Sequence, residues 1–152
     1  MDAQNFFSEK DQYFLELRIG NLSKISTRWW GKMTIEQMLA HCSIQLKMAL
    51  GHLPEGKMES SFLYRTMIGR WLSLYFIRWP RGFETPAEMD VVKNNLNIGD
   101  FEIERQKLLY LLQELKVLDL TGTHPFYGQI NKKDWGRLIW LHLDHHLRQF
   151  GN

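Results

Sequence analysis

Hydrophobic residues recur every three or four positions through most of the chain, and the clearest example begins at Thr34. Thr34 is a predicted N-cap, and Gln37 completes a capping box, in which each residue satisfies a free backbone amide of the other. The helix is predicted to end at Leu50, because the next residue is a glycine. Its inward stripe, by helical spacing, consists of Met38, His41, Gln45 and Met48. A histidine is therefore predicted in the middle of a face that normally holds apolar side chains.

The same kind of spacing predicts further helices along the chain. They cover residues 8–22, about 62–78, a short segment that begins at Thr85, about 101–116, and a last helix from Asn131. No alternating pattern typical of a β-strand runs for more than a few residues. We therefore predict an all-α fold: an up-and-down helical bundle whose long crossover carries the short extra helix.

The last helix carries an unusual concentration of imidazoles on its inward side. The segment "HLDHHLRQF" holds three of the six histidines of the chain within five residues. His142 and His146 are one turn apart, within about 40° of each other around the helix axis, and Leu138 and Gln149 share their side. His145 lies about 60° to the other side of His142. Charged residues would suit a solvated face and leucine would suit a core face. A concentration of histidines therefore indicates that this face binds something through imidazole nitrogens.

Composition narrows the classes of protein to which the chain could belong. A length of 152 residues predicts a single domain, residues 1–152, and 13% aromatic residues argue against disorder. The net charge is only +2, and the basic residues are dispersed among apolar ones, so we expect no nucleic-acid partner. The single cysteine excludes an internal disulfide, and we find neither a leader pattern nor an uncharged stretch of ~18 residues. We therefore expect a cytoplasmic protein without a membrane-spanning helix.

Three histidines on inward faces suggest a metal site. His142 and His146 have the spacing at which one helix presents two nitrogens to one ion, and His41 faces inward on a second helix. Three neutral imidazoles with an open fourth position are typical of a catalytic metal centre, and they suit Zn²⁺ or Ni²⁺. The alternative is that each is an ordinary core histidine, since a pair at this spacing also arises by chance.

Other polar residues have two interpretations each. His124 could be a fourth ligand or an orienting group, or simply a loop residue anchored by its aromatic neighbours. His145 is expected off the metal, where it could donate a hydrogen bond to a substrate. Three glutamines lie within about 40° of the proposed ligands on their own helices, where they could orient ligand imidazoles or be buried amides: Gln37, Gln45 and Gln149.

These segments resemble a known superfamily. "HLDHHLRQF" resembles the last-helix signature H-x-x-H-H-x-x-Q of the DinB-like and YfiT-like metal-binding bundles, and "MTIEQMLAHC" resembles their second helix. "HPFYG…W…HLDHHLRQFG" is more similar still to an uncharacterised subfamily. The resemblance runs from about Trp30 to Gly151 and is weak in the middle of the chain.

The resemblance implies an up-and-down four-helix bundle with a long connection between its halves, often a homodimer. It places the metal triad on His41, His142 and His146. Some members of the superfamily are thiol-dependent, either transferases that use bacillithiol or an isomerase that uses mycothiol, whereas others have no known activity.

Three functions remain open from the sequence. The first is a metal-dependent enzyme that acts on a small molecule, with a low-molecular-weight thiol as its second substrate. No carboxylate is expected beside the triad, because Asp144 points away from His142, and this favours thiol transfer over hydrolysis. The second is a non-catalytic metal-binding protein. The third is a homodimeric interaction protein that uses the aromatic helix at residues 62–79; a membrane surface is the less favoured partner, since its arginines do not gather on one face.

Overall fold

The computed structural model describes residues 3–53, 62–77, 79–81, 90–91, 93–94, 96–120 and 122–152, and these contain helices and no strand. The helices are α1 Glu9–Asn21, α2 Ile35–Ala49, α3 Phe62–Arg65, α4 Met67–Tyr75, α5 Phe101–Val117 and α6 Lys132–Gln149. None of these helices has the length and hydrophobicity needed to cross a membrane. The predicted all-α fold is confirmed. The short helix predicted from Thr85 lies outside the described residues.

Hydrogen bonds at the helix ends show how α1, α2, α5 and α6 are arranged. Phe6 donates to the Gly136 carbonyl near the beginnings of α1 and α6, and Asn152 donates to Arg18 near their ends, so these two helices are parallel. Trp29, just before α2, donates to the Gln149 carbonyl at the end of α6, so α2 runs in the opposite direction.

Helix α5 runs in the same direction as α2. Gly122, which follows α5, donates to the carbonyl of Ala49 at the end of α2, so both helices end at the same side of the bundle. At the other side, Arg105 near the beginning of α5 donates to Gly20 near the end of α1. Two parallel neighbours require a connection that spans the bundle, which is the role of the chain between α2 and α5.

The inward stripes predicted for α2 and α6 are buried. All four predicted α2 residues are buried, and so are the four residues predicted on the inward side of α6: Leu138, His142, His146 and Gln149. Trp135, one turn before Leu138, is fully enclosed. The predicted capping box of α2 is present, because Thr34 and Gln37 each accept a hydrogen bond from the other's backbone amide. Gly51 follows the helix with φ 72°, a conformation that favours glycine. These ends set the register that turns His41 toward the core.

The helix predicted at residues 62–78 is broken in two. Thr66 has extended backbone angles, its hydroxyl donates to the Leu63 carbonyl, and the same oxygen accepts from the Gly69 amide as the N-cap of α4. Apolar periodicity suggested one helix, but a threonine that bonds to its own backbone competes with helix continuation.

Helix α4 is anchored to the beginning of α6. Asp134 forms an ion pair with Arg70 at 3.1 Å and accepts a hydrogen bond from the Tyr75 hydroxyl at 3.2 Å. Arg137 donates to the Leu74 carbonyl. The chain that leaves α4 is thereby held beside α6, and Trp79 lies against His142 with ring centroids 6.0 Å apart.

Candidate metal centre

Helices α2 and α6 bring His41, His142 and His146 together inside the bundle. Their relative exposures are 3%, 4% and 8%, and one nitrogen from each lies within 4.8 Å of the other two. The Nε2 atoms of His41 and His142 are 2.8 Å apart, although 101 positions separate these residues in the sequence. The three residues that the sequence selected therefore form one cluster.

Burial keeps the imidazoles of α6 neutral. The pKa values of His142 and His146 lie well below 6.5, mainly because their charged forms would lose hydration in the core. The neighbouring imidazoles lower both values further. A neutral imidazole offers one lone pair to an ion, whereas an imidazolium offers none.

Gln149 determines which nitrogen of His146 carries the proton. The Gln149 amide nitrogen donates to the Trp30 carbonyl at 2.7 Å, so its amide oxygen must be the atom that faces His146 Nδ1 at 2.8 Å. An oxygen only accepts, so Nδ1 carries the hydrogen and Nε2 keeps its lone pair. Gln149 thus orients the imidazole of His146 through a hydrogen bond.

The loop before α2 fits closely around this glutamine. Gly31 has φ 79°, and a Cβ at this position would collide with the side-chain amide of Gln149. The Trp29 amide donates to the Gln149 backbone carbonyl at 2.8 Å. The loop therefore holds both ends of Gln149, and indirectly the ring of His146.

We expect Gln149→Leu to weaken divalent-metal binding by about 10- to 100-fold, because His146 would lose the group that fixes its tautomer and ring orientation. Competition with a chromophoric chelator measures this change in affinity. Gln113→Leu, on the surface of α5, is the matched control and should bind metal as the wild type does. Equal affinity in the Gln149 variant and the wild type would contradict the orienting role.

The cluster fits a metal ion with a small adjustment. Nitrogens that share a tetrahedral ion at about 2.05 Å lie roughly 3.3 Å apart, which falls between the 2.8 Å contact and the 4.8 Å limit of this cluster. His142 Nδ1 and Gln45 Oε1 are buried without hydrogen-bond partners among the described residues. Gln45 is therefore a buried amide one helical turn after His41, and within the described residues its side-chain oxygen makes no hydrogen bond to the three histidines.

His145 lies beside the triad and is half-buried. Its ring centroid is 5.1 Å from that of His146, 5.7 Å from Trp30 and 6.3 Å from Trp79. Its pKa is lowered by burial first and then by the nearby Arg148. It does not belong to the group of three described residues that could share an ion.

His124 belongs to the loop before α6 and not to the triad. Its backbone pairs with Gly128 in both directions, its Nδ1 accepts from the Phe126 amide at 3.1 Å, and its ring packs on Tyr127 and Trp135. Burial lowers its pKa to about 3. The structure supports the interpretation of His124 as a loop anchor, and the fourth-ligand alternative finds no support in it.

This burial predicts a pH effect on stability. Above pH 6.5 His124 is neutral in both states; as the pH falls toward 3, the unfolded chain takes up a proton that the native state refuses. In metal-free protein the free energy of unfolding should therefore lose about 1.4 kcal/mol per pH unit from this residue. Urea titrations between pH 7 and pH 4 measure how steeply the free energy of unfolding changes with pH. In His124→Gln this slope should be smaller by the contribution of one proton, about 1.4 kcal/mol per pH unit. Identical slopes would contradict the assignment.

Two further polar residues have structural roles. The Gln37 side-chain oxygen is used in the cap of α2, and the carboxylate of Asp144 is paired with Arg18 at 2.8 Å and Arg148 at 2.7 Å. The carboxylate of Asp144 is thus already engaged by two guanidinium groups. Cys42 is buried beside Met38, and burial raises the pKa of its thiol far above the ordinary value.

Sequence reasoning missed the aromatic surroundings of the triad. Trp30 lies in the loop before α2 and Trp79 in the chain after α4, where hydrophobic periodicity gives no register. The only sequence signal was the tryptophan content itself, six in the chain.

Residues 6–152 match the family described as "Protein of unknown function (DUF1569)". The chain matches no curated protein and no solved structure.

Proposed function

We propose that this chain, which belongs to the DUF1569 family of proteins of unknown function, is a divalent-metal-dependent enzyme acting on a small molecule. The observation that carries the proposal is the buried cluster of His41, His142 and His146. Three neutral imidazoles leave a coordination position open, as catalytic sites do and structural sites do not. Nitrogen donors favour borderline ions, of which Zn²⁺ and Ni²⁺ are our candidates.

Thiol transfer is the reaction class that we favour. A bound divalent ion deprotonates a coordinated thiol and so supplies a nucleophile at neutral pH. The chain would position the ligands: Gln149 orients His146, and burial in the core keeps the rings of His142 and His146 neutral and shields all three rings from water. Among the described residues, the acid that lies between His142 and His146 in the sequence, Asp144, is already paired with two arginines, and a hydrolase would need a free base.

The resemblance to DinB-like and YfiT-like bundles supports the same proposal. The signature H-x-x-H-H-x-x-Q falls on His142, His145, His146 and Gln149, and two of these residues join His41 in the cluster. Gln149 hydrogen-bonds to His146. We propose that the family belongs to that superfamily.

Thiol consumption tests the reaction. The zinc- or nickel-loaded protein is incubated with cysteine, glutathione or coenzyme A and with 1-chloro-2,4-dinitrobenzene. A carbon–sulfur bond forms, chloride leaves with its bonding pair, and the thiol proton goes to the buffer. We expect a rate above the uncatalysed one that a chelator abolishes and that His146→Gln lowers, while His52→Gln, on the surface, leaves it unchanged. Metal-loaded protein that accelerates none of these reactions would favour a non-catalytic function.

A homodimeric interaction protein is the second candidate, and the surface of α3 and α4 favours it. Seven large apolar side chains there are more than half exposed in the single chain: Phe62, Leu63, Met67, Ile68, Trp71, Phe76 and Ile77. Apolar patches of this kind mark interaction sites. Light scattering should give a dimer for the wild type and a monomer for Ile68→Glu; a monomeric wild type would remove this candidate.

A further inference from the structure

Four residues joined by aromatic contacts lie beside the buried triad, and we call them the entrance cluster: Trp30, Trp79, Arg81 and His145. Trp30, Trp79 and His145 are half-buried and Arg81 is exposed. The ring of Trp79 lies 6.0 Å from that of His142, and His145 is flanked by Trp30 and Trp79. A molecule that approached the triad from this side would meet these four residues first.

Arg81 brings a positive charge to this cluster. Its guanidinium carbon lies 4.5 Å from the centre of the Trp30 ring. Among the described parts of the chain, it makes no ion pair with a carboxylate. The acidic residue closest in sequence to His145, Asp144, is engaged by Arg18 and Arg148. Within the described residues, the aromatic entrance therefore carries a cation that no carboxylate pairs with.

We propose that the entrance cluster binds the carboxylate of a small organic acid that also carries an aromatic or apolar group. Arg81 would bind the carboxylate, and the faces of Trp30 and Trp79 would contact the apolar part. The inference deepens the proposed function, on which it rests, by giving the class of molecule that reaches the triad.

The chemistry of arginine supports this class of ligand. A guanidinium has a planar array of donors that matches a carboxylate in two parallel hydrogen bonds. Stacking on Trp30 leaves the edge of the guanidinium free for these bonds while its face is covered. Indole rings on either side favour a flat or apolar group over a hydrated one.

Trp30 also connects the entrance cluster to the triad through hydrogen bonds. Its carbonyl accepts from Gln149, which in turn holds His146. A ligand that contacts the Trp30 ring is therefore linked through two hydrogen bonds to Nδ1 of His146, the ring whose Nε2 would bind the metal.

Calorimetric titration with phenylacetate, compared with the uncharged phenylacetamide, tests the inference. We expect phenylacetate to bind at least about tenfold more tightly than phenylacetamide, since a hydrogen bond to a charged group is worth that much. Arg81→Gln should remove this preference. Arg105→Gln is the matched control, because Arg105 also lies over an aromatic ring, that of Phe101, but far along the chain on α5.

The titration is performed on metal-free and on zinc-loaded protein, so that the two proposals fail separately. If the chain binds no metal, the proposed enzyme is wrong, but the titration of the metal-free protein still tests the entrance cluster. No heat with phenylacetate in either form, equal affinity for phenylacetamide, or an Arg81→Gln variant that keeps the preference would overturn the inference. Phenylacetate that binds only with zinc and independently of Arg81 would also overturn it, because the carboxylate would then be on the metal.

Discussion

Protein carrying His142→Ala should contain no divalent ion, whereas wild-type protein should contain about one per chain after incubation with zinc or nickel. His142 contributes one of three nitrogens, and its Nε2 is the one in contact with His41 at 2.8 Å. Two remaining imidazoles cannot enclose an ion in tetrahedral geometry. Elemental mass spectrometry of untagged protein measures the content, because a polyhistidine tag would add metal of its own.

Two controls make this result specific. His52→Ala removes an exposed histidine at the end of α2 and should leave the metal content unchanged. Circular dichroism should show that the His142 variant keeps its helices, so that loss of metal is not loss of fold. Equal metal content in wild type and His142→Ala, or none in either, would refute the metal centre and leave three ordinary core histidines.

The second large effect is expected from Asp144, which lies between His142 and His146 in the sequence but pairs with arginines instead of facing the cluster. Arg18 on α1 is 7% exposed, and the Asp144 carboxylate is the acid with which it pairs. Asp144→Ala would leave this guanidinium buried without its counter-charge, which typically costs about 3 kcal/mol or more. Urea denaturation measures the loss in the free energy of unfolding.

A double substitution separates the charge from the packing. Arg18→Met with Asp144→Leu replaces both charges by apolar groups and should recover most of the lost stability, since the desolvation of both ions is avoided. Glu102→Ala, which breaks an exposed pair with Arg105, should cost less than about 1 kcal/mol. A loss of that small size in Asp144→Ala would show that the pair is unimportant.

The elements that the sequence specified best are those with a regular period and local caps. In α2, Thr34, Gln37 and Gly51 mark both ends, so the orientation of His41 follows from counting residues. In α6 the one-turn spacing of His142 and His146 made them neighbours whatever the rest of the chain did. The convergence of these two helices could be anticipated because both stripes had to face one core.

Interactions that depend on tertiary position could not be anticipated in the same way. The break at Thr66 arises because its hydroxyl hydrogen-bonds to nearby backbone groups, the Leu63 carbonyl and the Gly69 amide, where the helix would otherwise continue. Arg18 and Asp144 pair across 126 positions, and no local pattern indicates which of many charges meet. The hydrogen bond between Gln149 and the Trp30 carbonyl joins a helix to an aperiodic loop. Two interpretations of Gln149 were therefore open from the sequence, and only the tertiary contact distinguishes them.

The separation of 101 positions between His41 and His142 gives the proposed ion a mechanical meaning as well as a chemical one. An ion held by both residues would act as a reversible cross-link that closes a loop spanning two thirds of the chain. For a loop of about 100 residues, chain-entropy arguments developed for disulfides assign roughly 4.7 kcal/mol to such a closure. The cell would then set the lifetime of the folded protein through the supply of free metal, and chain that emerges under metal starvation would be the first to be degraded.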